Sequence, residues 1–383
     1  MSTTIPTIGI RRHRQLDQLL IVDFDVHILD ERQEIAAFCD PPWRQMLVDG
    51  PIVPPFGGNA RLYPVFPGHW STRKISRQTP AEVRAALDDL SIDLGVLFPE
   101  RLLAIGQQPN AEYAMALVRA YNRWLTATYL QETRGLYGVV AVAPQDPEGS
   151  AREIEHYARE DRVVGVMLPT TRLEPLWGHR KFDPIYQAAE AAGIAVFYHG
   201  GAPVQMPMLP FDLRQFDTPF MFHTYTHSIE MMTTLANLMS TGVPVRFPRL
   251  KMIYIEAGIS WVPHAMLRMD RIWEEDRESA PLLAERPSTY MRRQMYYATQ
   301  PIEEPESLAD MADVIRMIGG GDSVLFASDF PHHDFDHPKK VFDIPVSADT
   351  KRKIMGENGL AVLGISPLPA SEHVPGKTLP QRM

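Results

Sequence analysis

Two carboxylates and an imidazole occupy alternating positions directly after the first apolar segment of the chain. The segment runs from Leu19 to Val22, and Asp23, Asp25 and His27 follow it. Because side-chain direction alternates along a strand, these three side chains are expected on one face. Charged groups at a buried strand end need a cation or strong hydrogen-bond partners. The pattern therefore indicates either a metal site or a capping aspartate with a surface histidine in a turn.

Two later apolar segments also end in residue types that bind metals. One ends in His199, which two glycines follow, and another leads into Asp329, with His332 and His333 shortly after it. Each residue alone could be a hydrogen-bonded turn or cap residue. Their conjunction with the first cluster favours a shared site, and mixed nitrogen and oxygen ligands suit zinc, iron or manganese.

The elements that must position these residues are short apolar runs separated by amphipathic segments. Continuous apolar runs are typical of strands buried on both faces. We predict strands at 19–22, 94–98, 136–142, 163–168, 194–198, 252–255 and 324–327, with a weaker one near 295–298. Helices are predicted to begin after Thr79 and to span 111–130 and 183–192, the last ending at Gly193.

Repeated strand–helix alternation predicts an α/β fold with a parallel sheet, closed into a (β/α)8 TIM barrel. In such a barrel the C-terminal strand ends form one mouth, where function is housed. A doubly wound open sheet is less favoured, because no Gly-rich phosphate loop follows the first strand.

Composition excludes several classes of protein. The chain has 383 residues, of which 45% are hydrophobic and 22% charged, as in ordinary globular proteins. Its net charge of -9 argues against a nucleic-acid surface. A single cysteine, Cys39, excludes an intrachain disulfide and a cysteine-built zinc site. No secretory signal or apolar membrane span is visible, so we expect a cytoplasmic protein with no membrane partner.

One domain is predicted over residues 19–365, between an N-terminal arm at 1–18 and a proline-rich tail at 366–383. Two segments, 41–77 and 200–227, are rich in proline and aromatic residues and are expected to be long loops inserted at the mouth. Arginines in these loops that could bind a substrate carboxylate are Arg61, Arg73 and Arg214. We expect the tail to contact another subunit, in a homo-oligomer or a hetero-oligomer with a homologous chain.

Six short motifs occur in order along the predicted elements. They lie at 97–99, 119–125, 247–251, 256–263, 325–332 and 353–358. The most specific are Leu325 to His332 and Lys353 to Asn358. Together, over residues 21–365, they resemble the amidohydrolase superfamily, in the branch of aminocarboxymuconate semialdehyde decarboxylase and related nonoxidative decarboxylases and hydrolases.

This resemblance implies a metal site and its ligands. The family's ligand positions map to Asp25, His27, His199 and Asp329, with Asp25 in place of the more common histidine. In the family the strand-eight aspartate binds the metal and can move a proton from metal-activated water. The implied function is hydrolysis or nonoxidative decarboxylation (a carbon–carbon lyase reaction) of a small carboxylated substrate. Zinc is the expected ion, with iron or manganese as alternatives.

The sequence departs from the decarboxylase pattern at strand six, where Glu256 stands in place of a common histidine. Glu256 could be a general base, a ligand to a second metal, or a structural carboxylate bonded to backbone amides or an arginine. The family often has a histidine near His227, so we predict Asp329, Glu256 and His227 as catalytic residues. His223, four residues earlier, would share a helix face with His227 but is expected to be peripheral.

A second metal ion would change the expected chemistry. Its candidate ligands are His227, Glu256, His332 and His333. Some proteins with this scaffold carry a dinuclear iron or iron–manganese site and use oxygen to hydroxylate substrates such as 2-aminoisobutyrate. A dinuclear oxygenase is therefore the alternative function, and a non-catalytic partner subunit of a homologous enzyme is a third hypothesis.

Overall fold

The computed structural model describes residues 13–50, 55, 78–131, 134–171, 173–200, 219–332, 334–365 and 367–377. Eight parallel strands follow one another in chain order, each paired with the next. They are β1 Val22–Ile28, β2 Leu94–Pro99, β3 Leu136–Ala141, β4 Val163–Pro169, β5 Ala195–His199, β6 Met252–Ile255, β7 Met295–Ala298 and β8 Val324–Leu325.

Backbone contacts join the segment that follows β8 to β1. Val26 forms a parallel bridge with Phe330, and the amide of Asp329 donates to the carbonyl of Asp25 at 2.9 Å. The sheet therefore wraps into a (β/α)8 TIM barrel, which confirms the predicted fold class.

Helices surround the strands. They are α1 Arg32–Ala36, α2 Trp43–Asp49, α3 Pro80–Asp89, α4 Ala111–Thr128, α5 Pro147–Tyr157, α6 Asp183–Ala192, α7 Pro219–Ser240, α8 Val243–Arg246, α9 Trp261–Glu275, α10 Pro287–Gln294, α11 Leu308–Ile318, α12 Pro338–Phe342, α13 Ala348–Arg352 and α14 Asn358–Leu363, with a π-helical turn at Lys353–Glu357. Thr79 caps α3 in a capping box with Glu82. Gly193 ends α6 at a φ of 72°, a left-handed conformation that favours glycine. None of the helices in the described ranges is both long and apolar enough to cross a membrane.

The structure corrects three details of the sequence analysis. The first strand was predicted to end at Val22, but β1 begins at that residue. The polar residues after Val22 are part of β1, which is buried along its whole length. Within the two segments predicted as loops, residues 43–49 and 219–227 are helical, as parts of α2 and α7. Residues 56–77 and 201–218, which include the three loop arginines, lie outside the described part of the chain.

The C-terminal tail packs against its own barrel. The side chain of Lys377 is fully buried, with Nζ 2.5 Å from Asp93 Oδ2 and 2.8 Å from the carbonyl of Leu19. Arg162 donates to Glu372 at 2.7 Å. These contacts hold residues 367–377 without a second chain, and contact of the tail with another subunit stays a prediction.

Candidate metal centre

Three strand ends bring Asp25, His27, His199 and Asp329 together, all fully buried. The Oδ1 atom of Asp25 lies 3.2 Å from Nε2 of His27 and 3.4 Å from Nε2 of His199. The same Nε2 of His27 lies 3.3 Å from Oδ1 of Asp329. The four predicted ligands thus form one cluster at the C-terminal ends of β1, β5 and β8.

Several polar atoms of this cluster have no partner in hydrogen-bond geometry. They are Oδ2 of Asp25, both ring nitrogens of His27 and Oδ1 of Asp329. One ligand atom each from Asp25, His27 and His199 lie within 4.8 Å of one another, and the same holds for His27, Asp329 and His332. Buried polar atoms without partners are costly, and a cation among them would satisfy them. The donor set fits a divalent ion with nitrogen and oxygen ligands.

Charge interactions within the cluster shift its pKa values in opposite directions. Burial acts to raise the pKa of Asp25, but His199 and His27 outweigh burial and hold it well below its usual range. Burial and His332 act to lower the pKa of His27, but Asp25 and Asp329 outweigh them and raise it to about 9. At neutral pH Asp25 is therefore ionised, and His27 carries a proton that a bound cation would displace.

Two residues of this rim have strained backbones. Asp329 has a φ of 61° and Glu256 a φ of 54°, in the left-handed region that L-residues seldom adopt. Such conformations cost about 1–3 kcal/mol each and cluster at functional sites, where surrounding contacts hold them. The backbone of Asp329 is held on both sides, by the carbonyl of Asp25 and by the amide of His332 at 2.8 Å.

His332 lies against this cluster. Its Nδ1 is 2.6 Å from Oδ1 of Asp329, and its ring stacks on that of His27 with centroids 4.3 Å apart. Burial acts to lower the pKa of His332, but Asp329 and Glu100 raise it well above its usual range. His333 lies outside the described residues.

Glu256 lies between two imidazoles. Its Oε2 is 3.7 Å from Nδ1 of His199, and its Oε1 is 3.6 Å from Nε2 of His227. Burial, together with the charge of Asp329, raises the pKa of Glu256 well above its usual range. Burial and the neighbouring His223 lower the pKa of His227 to about 3. Both shifts favour the uncharged form, a protonated carboxyl in Glu256 and a neutral imidazole in His227.

His223 and His227 lie one turn apart on α7, with ring centroids 5.9 Å apart, which confirms the helical spacing. His223 is about a quarter exposed, and its Nε2 lies 3.2 Å from Oδ2 of Asp334. Its place at the edge of the cluster agrees with the peripheral position predicted for it.

Asp23 does not join the ligand cluster, contrary to the expectation that it shares a face with Asp25 and His27. The pairing of β1 with β2 is irregular between Asp23 and Val26, and Asp23 lies two residues before Asp25, about 6–7 Å further from the mouth along the strand. Asp23 instead accepts hydrogen bonds from the amide and the hydroxyl of Ser328. Burial raises the pKa of Asp23 to about 8.

Sequence reasoning missed three further polar residues of the site. Glu100 lies just past β2, and its Oε2 atom is 3.0 Å from Nε2 of His332. Gln300, just past β7, donates to Oδ2 of Asp329 at 3.2 Å. Both follow strand ends, which is the one signal for them in the sequence, although a single polar residue there is most often a cap. Glu230, one turn after His227 on α7, accepts from the Thr170 hydroxyl, and burial raises its pKa to about 8.

Comparisons with known proteins agree with this architecture. The sequence profile of the amidohydrolase family matches residues 22–365. Gamma-resorcylate decarboxylase of Polaromonas sp. strain JS666 is 25% identical over 249 residues, covering 62% of this chain and 73% of that protein. The structure of 5-carboxyvanillate decarboxylase from Sphingomonas paucimobilis shares 24% identity and a TM-score of 0.67, over 91% of this chain and 100% of that one.

A second solved structure is 5-carboxyvanillate decarboxylase from Novosphingobium aromaticivorans, complexed with manganese and 4-hydroxy-3-methoxy-5-nitrobenzoic acid. It shares 20% identity and a TM-score of 0.71, over 93% of this chain and 98% of that one. These structural likenesses support the fold, and the family profile spans most of the chain. The chain therefore belongs to the amidohydrolase family, as its motifs predicted.

Proposed function

We propose that this protein is a metal-dependent nonoxidative decarboxylase of an aromatic hydroxycarboxylate. The observation that carries the proposal is the buried cluster of Asp25, His27, His199 and Asp329, whose unpartnered polar atoms fit a divalent ion. Several of its matched relatives are decarboxylases of gamma-resorcylate or 5-carboxyvanillate, both phenolic carboxylates. Of the two reactions that the motifs imply, these relatives favour decarboxylation over hydrolysis.

Asp25, His27, His199 and Asp329 would hold the ion. When bound, a divalent cation supplies positive charge that favours an anionic substrate and the negative charge that develops as the carboxyl group leaves. Manganese is the ion to test first, because the Novosphingobium enzyme was solved with it. Zinc, which the sequence analysis favoured, stays a prediction.

Loss of a carboxyl group as CO2 requires that one proton replace it on the ring carbon. We assign delivery of this proton to Asp329, whose Oδ1 lies 2.6 Å from Nδ1 of His332 and whose Oδ2 is held by Gln300. A carboxyl group so held can deliver a proton to one position and regain it from a neighbour.

Glu256 and His227 line the other side of the site, where burial favours the uncharged form of each side chain. Burial raises the pKa of Glu256 and lowers that of His227, which favours a hydrogen-bond donor at Glu256 and a neutral imidazole at His227. Uncharged polar groups suit a phenol hydroxyl, whereas a second carboxylate would repel the substrate's own. In this proposal both residues bind and orient the ring.

The test is a panel of hydroxybenzoates offered to protein purified without chelators and loaded with manganese. 2,6-Dihydroxybenzoate and 5-carboxyvanillate are the first candidates, and benzoate, which lacks the hydroxyl, is the negative substrate. We expect release of CO2 with at least one hydroxybenzoate and loss of about a hundredfold or more of the rate in Asp329→Asn. Inactivity of the manganese-loaded protein on the whole panel would overturn the proposal.

One observation favours a second candidate, oxygen-dependent hydroxylation at a dinuclear iron or iron–manganese site. Three buried or nearly buried groups beyond the four ligands face the same cluster, namely His332, Glu100 and Glu256. Surplus imidazole and carboxylate groups could hold a second ion. Metal analysis separates the candidates: about one ion per chain supports the decarboxylase, whereas two irons, or one iron with one manganese, support the oxygenase.

A further inference from the structure

Glu100 is the first residue after β2, on the same rim as the candidate ligands. Its carboxylate reaches two histidines through one oxygen: Oε2 lies 3.0 Å from Nε2 of His332 and 3.6 Å from Nδ1 of His27. Its side chain is only 16% exposed. No ligand position of the family maps to Glu100, and the decarboxylation proposed above does not use it.

The backbone around Glu100 is fixed by a buried carboxylate. Asp30, fully buried just past β1, accepts hydrogen bonds from the amides of Glu100, Arg101 and Leu102 at 3.0, 2.6 and 3.0 Å. The amide of Glu100 also donates to the carbonyl of Ile28 at 3.1 Å. The carboxylate of Glu100 is therefore presented from a rigid turn rather than from a free loop.

The two nitrogens of the His27 ring face different partners. Nε2 faces the carboxylate oxygens of Asp25 and Asp329, at 3.2 and 3.3 Å, while Nδ1 faces Glu100. An imidazole that binds a metal through one nitrogen carries its hydrogen on the other, and that N–H needs an acceptor. In the described part of the chain, the carboxylate that lies within 4 Å of Nδ1 of His27 is that of Glu100.

We propose that Glu100 is a positioning residue of the metal centre: its carboxylate, 3.6 Å from Nδ1 of His27, attracts the hydrogen on that nitrogen through its charge and so favours Nε2 as the atom that binds the ion. The same oxygen fixes His332, whose other nitrogen meets Asp329. The carboxylate acts on the ion through two imidazoles and touches neither the ion nor the substrate. This inference rests on the metal site of the proposed function.

The experiment measures manganese affinity of the metal-free protein, by the electron paramagnetic resonance signal of free Mn²⁺, with no substrate present. Removal of a carboxylate that orients a metal-binding histidine weakens metal binding by about ten- to a hundredfold. We expect that loss in Glu100→Ala. A smaller loss is expected in Glu100→Gln, because the near-isosteric amide keeps an acceptor oxygen without the charge.

The matched control is Glu153, on α5, whose side chain is 15% exposed and contacts Arg119 at 3.3 Å. Glu153→Ala and Glu153→Gln should bind manganese like the wild type. If Glu100→Ala does not fold, as judged by circular dichroism and thermal unfolding of the metal-free protein, Glu100→Gln carries the test. Wild-type manganese affinity in a folded Glu100→Ala variant overturns the inference. Where Glu100→Ala does not fold, wild-type affinity in Glu100→Gln overturns it.

A double-mutant cycle distinguishes the route of the effect. In a His332→Ala background, Glu100→Ala should still weaken manganese binding, because its contact with His27 remains. Disappearance of the effect in that background would contradict the role assigned through His27. If the wild-type protein itself does not bind manganese, the proposed function fails instead, so the two failures are distinguishable.

Discussion

Metal binding should release a proton from His27, and its pH dependence can be worked out from the structure. The pKa of His27 is raised to about 9 in the metal-free site, against a usual value of 6.5. A metal ligand must be unprotonated at the binding nitrogen, so protons compete with the ion below pH 9. Between pH 7 and pH 9 the affinity should therefore rise by about tenfold per pH unit, which is about 3 kcal/mol in total.

The assay is an anaerobic manganese titration at half-unit steps of pH, with calorimetry in two buffers of different ionisation enthalpy to count the protons released. We expect about one proton per ion from His27 at pH 7, falling toward none above pH 9. A histidine with the usual pKa would already be unprotonated at pH 7.5, and the affinity would then be nearly constant above it. A constant affinity from pH 7.5 to pH 9 would refute this reasoning.

Three further outcomes follow from the structure. Gly200→Ala should destabilise the fold by about 1–3 kcal/mol in urea unfolding, because a Cβ there would lie 2.5 Å from Oε2 of Glu230; an unchanged midpoint would contradict this. Lys377→Ala should cost about 3–5 kcal/mol in urea unfolding, since it removes the ammonium group from the buried Asp93 carboxylate, whereas Lys353→Ala, at a pair on the exposed surface, should cost far less; equal losses would be inconsistent with the burial. Manganese at about a hundredfold excess over its dissociation constant should stabilise the protein by about 3 kcal/mol, and a chelator should reverse this in a thermal scan; an unaltered melting temperature would count against the site.

The barrel could be predicted from sequence because seven of its eight strands are apolar runs. β1 was misplaced because Asp23, Asp25 and His27 lie inside the strand, and polar residues there do not resemble a buried strand. His199 and Asp329 could be predicted because each stands where an apolar run ends. That feature can be recognised in the sequence alone.

The remaining residues of the site could not be found in this way. Glu100 and Gln300 also follow strand ends, but a single polar residue there is most often a cap, and only closure of the barrel shows what it faces. The hydrogen bonds that hold Asp23 to Ser328 join residues 305 positions apart, and such a pairing has no signal in the sequence. Glu230 lies on a helix, where its burial depends on how α7 packs on the barrel.

The most direct test of the central claim is decarboxylation in D2O without oxygen. The manganese-loaded protein is given its best hydroxybenzoate anaerobically, and the released CO2 and the deuterium in the phenol are both measured. We expect one CO2 per phenol formed, with one deuterium on the ring carbon that carried the carboxyl group. A product that forms only when oxygen is present, or that carries a new hydroxyl group, would contradict nonoxidative decarboxylation.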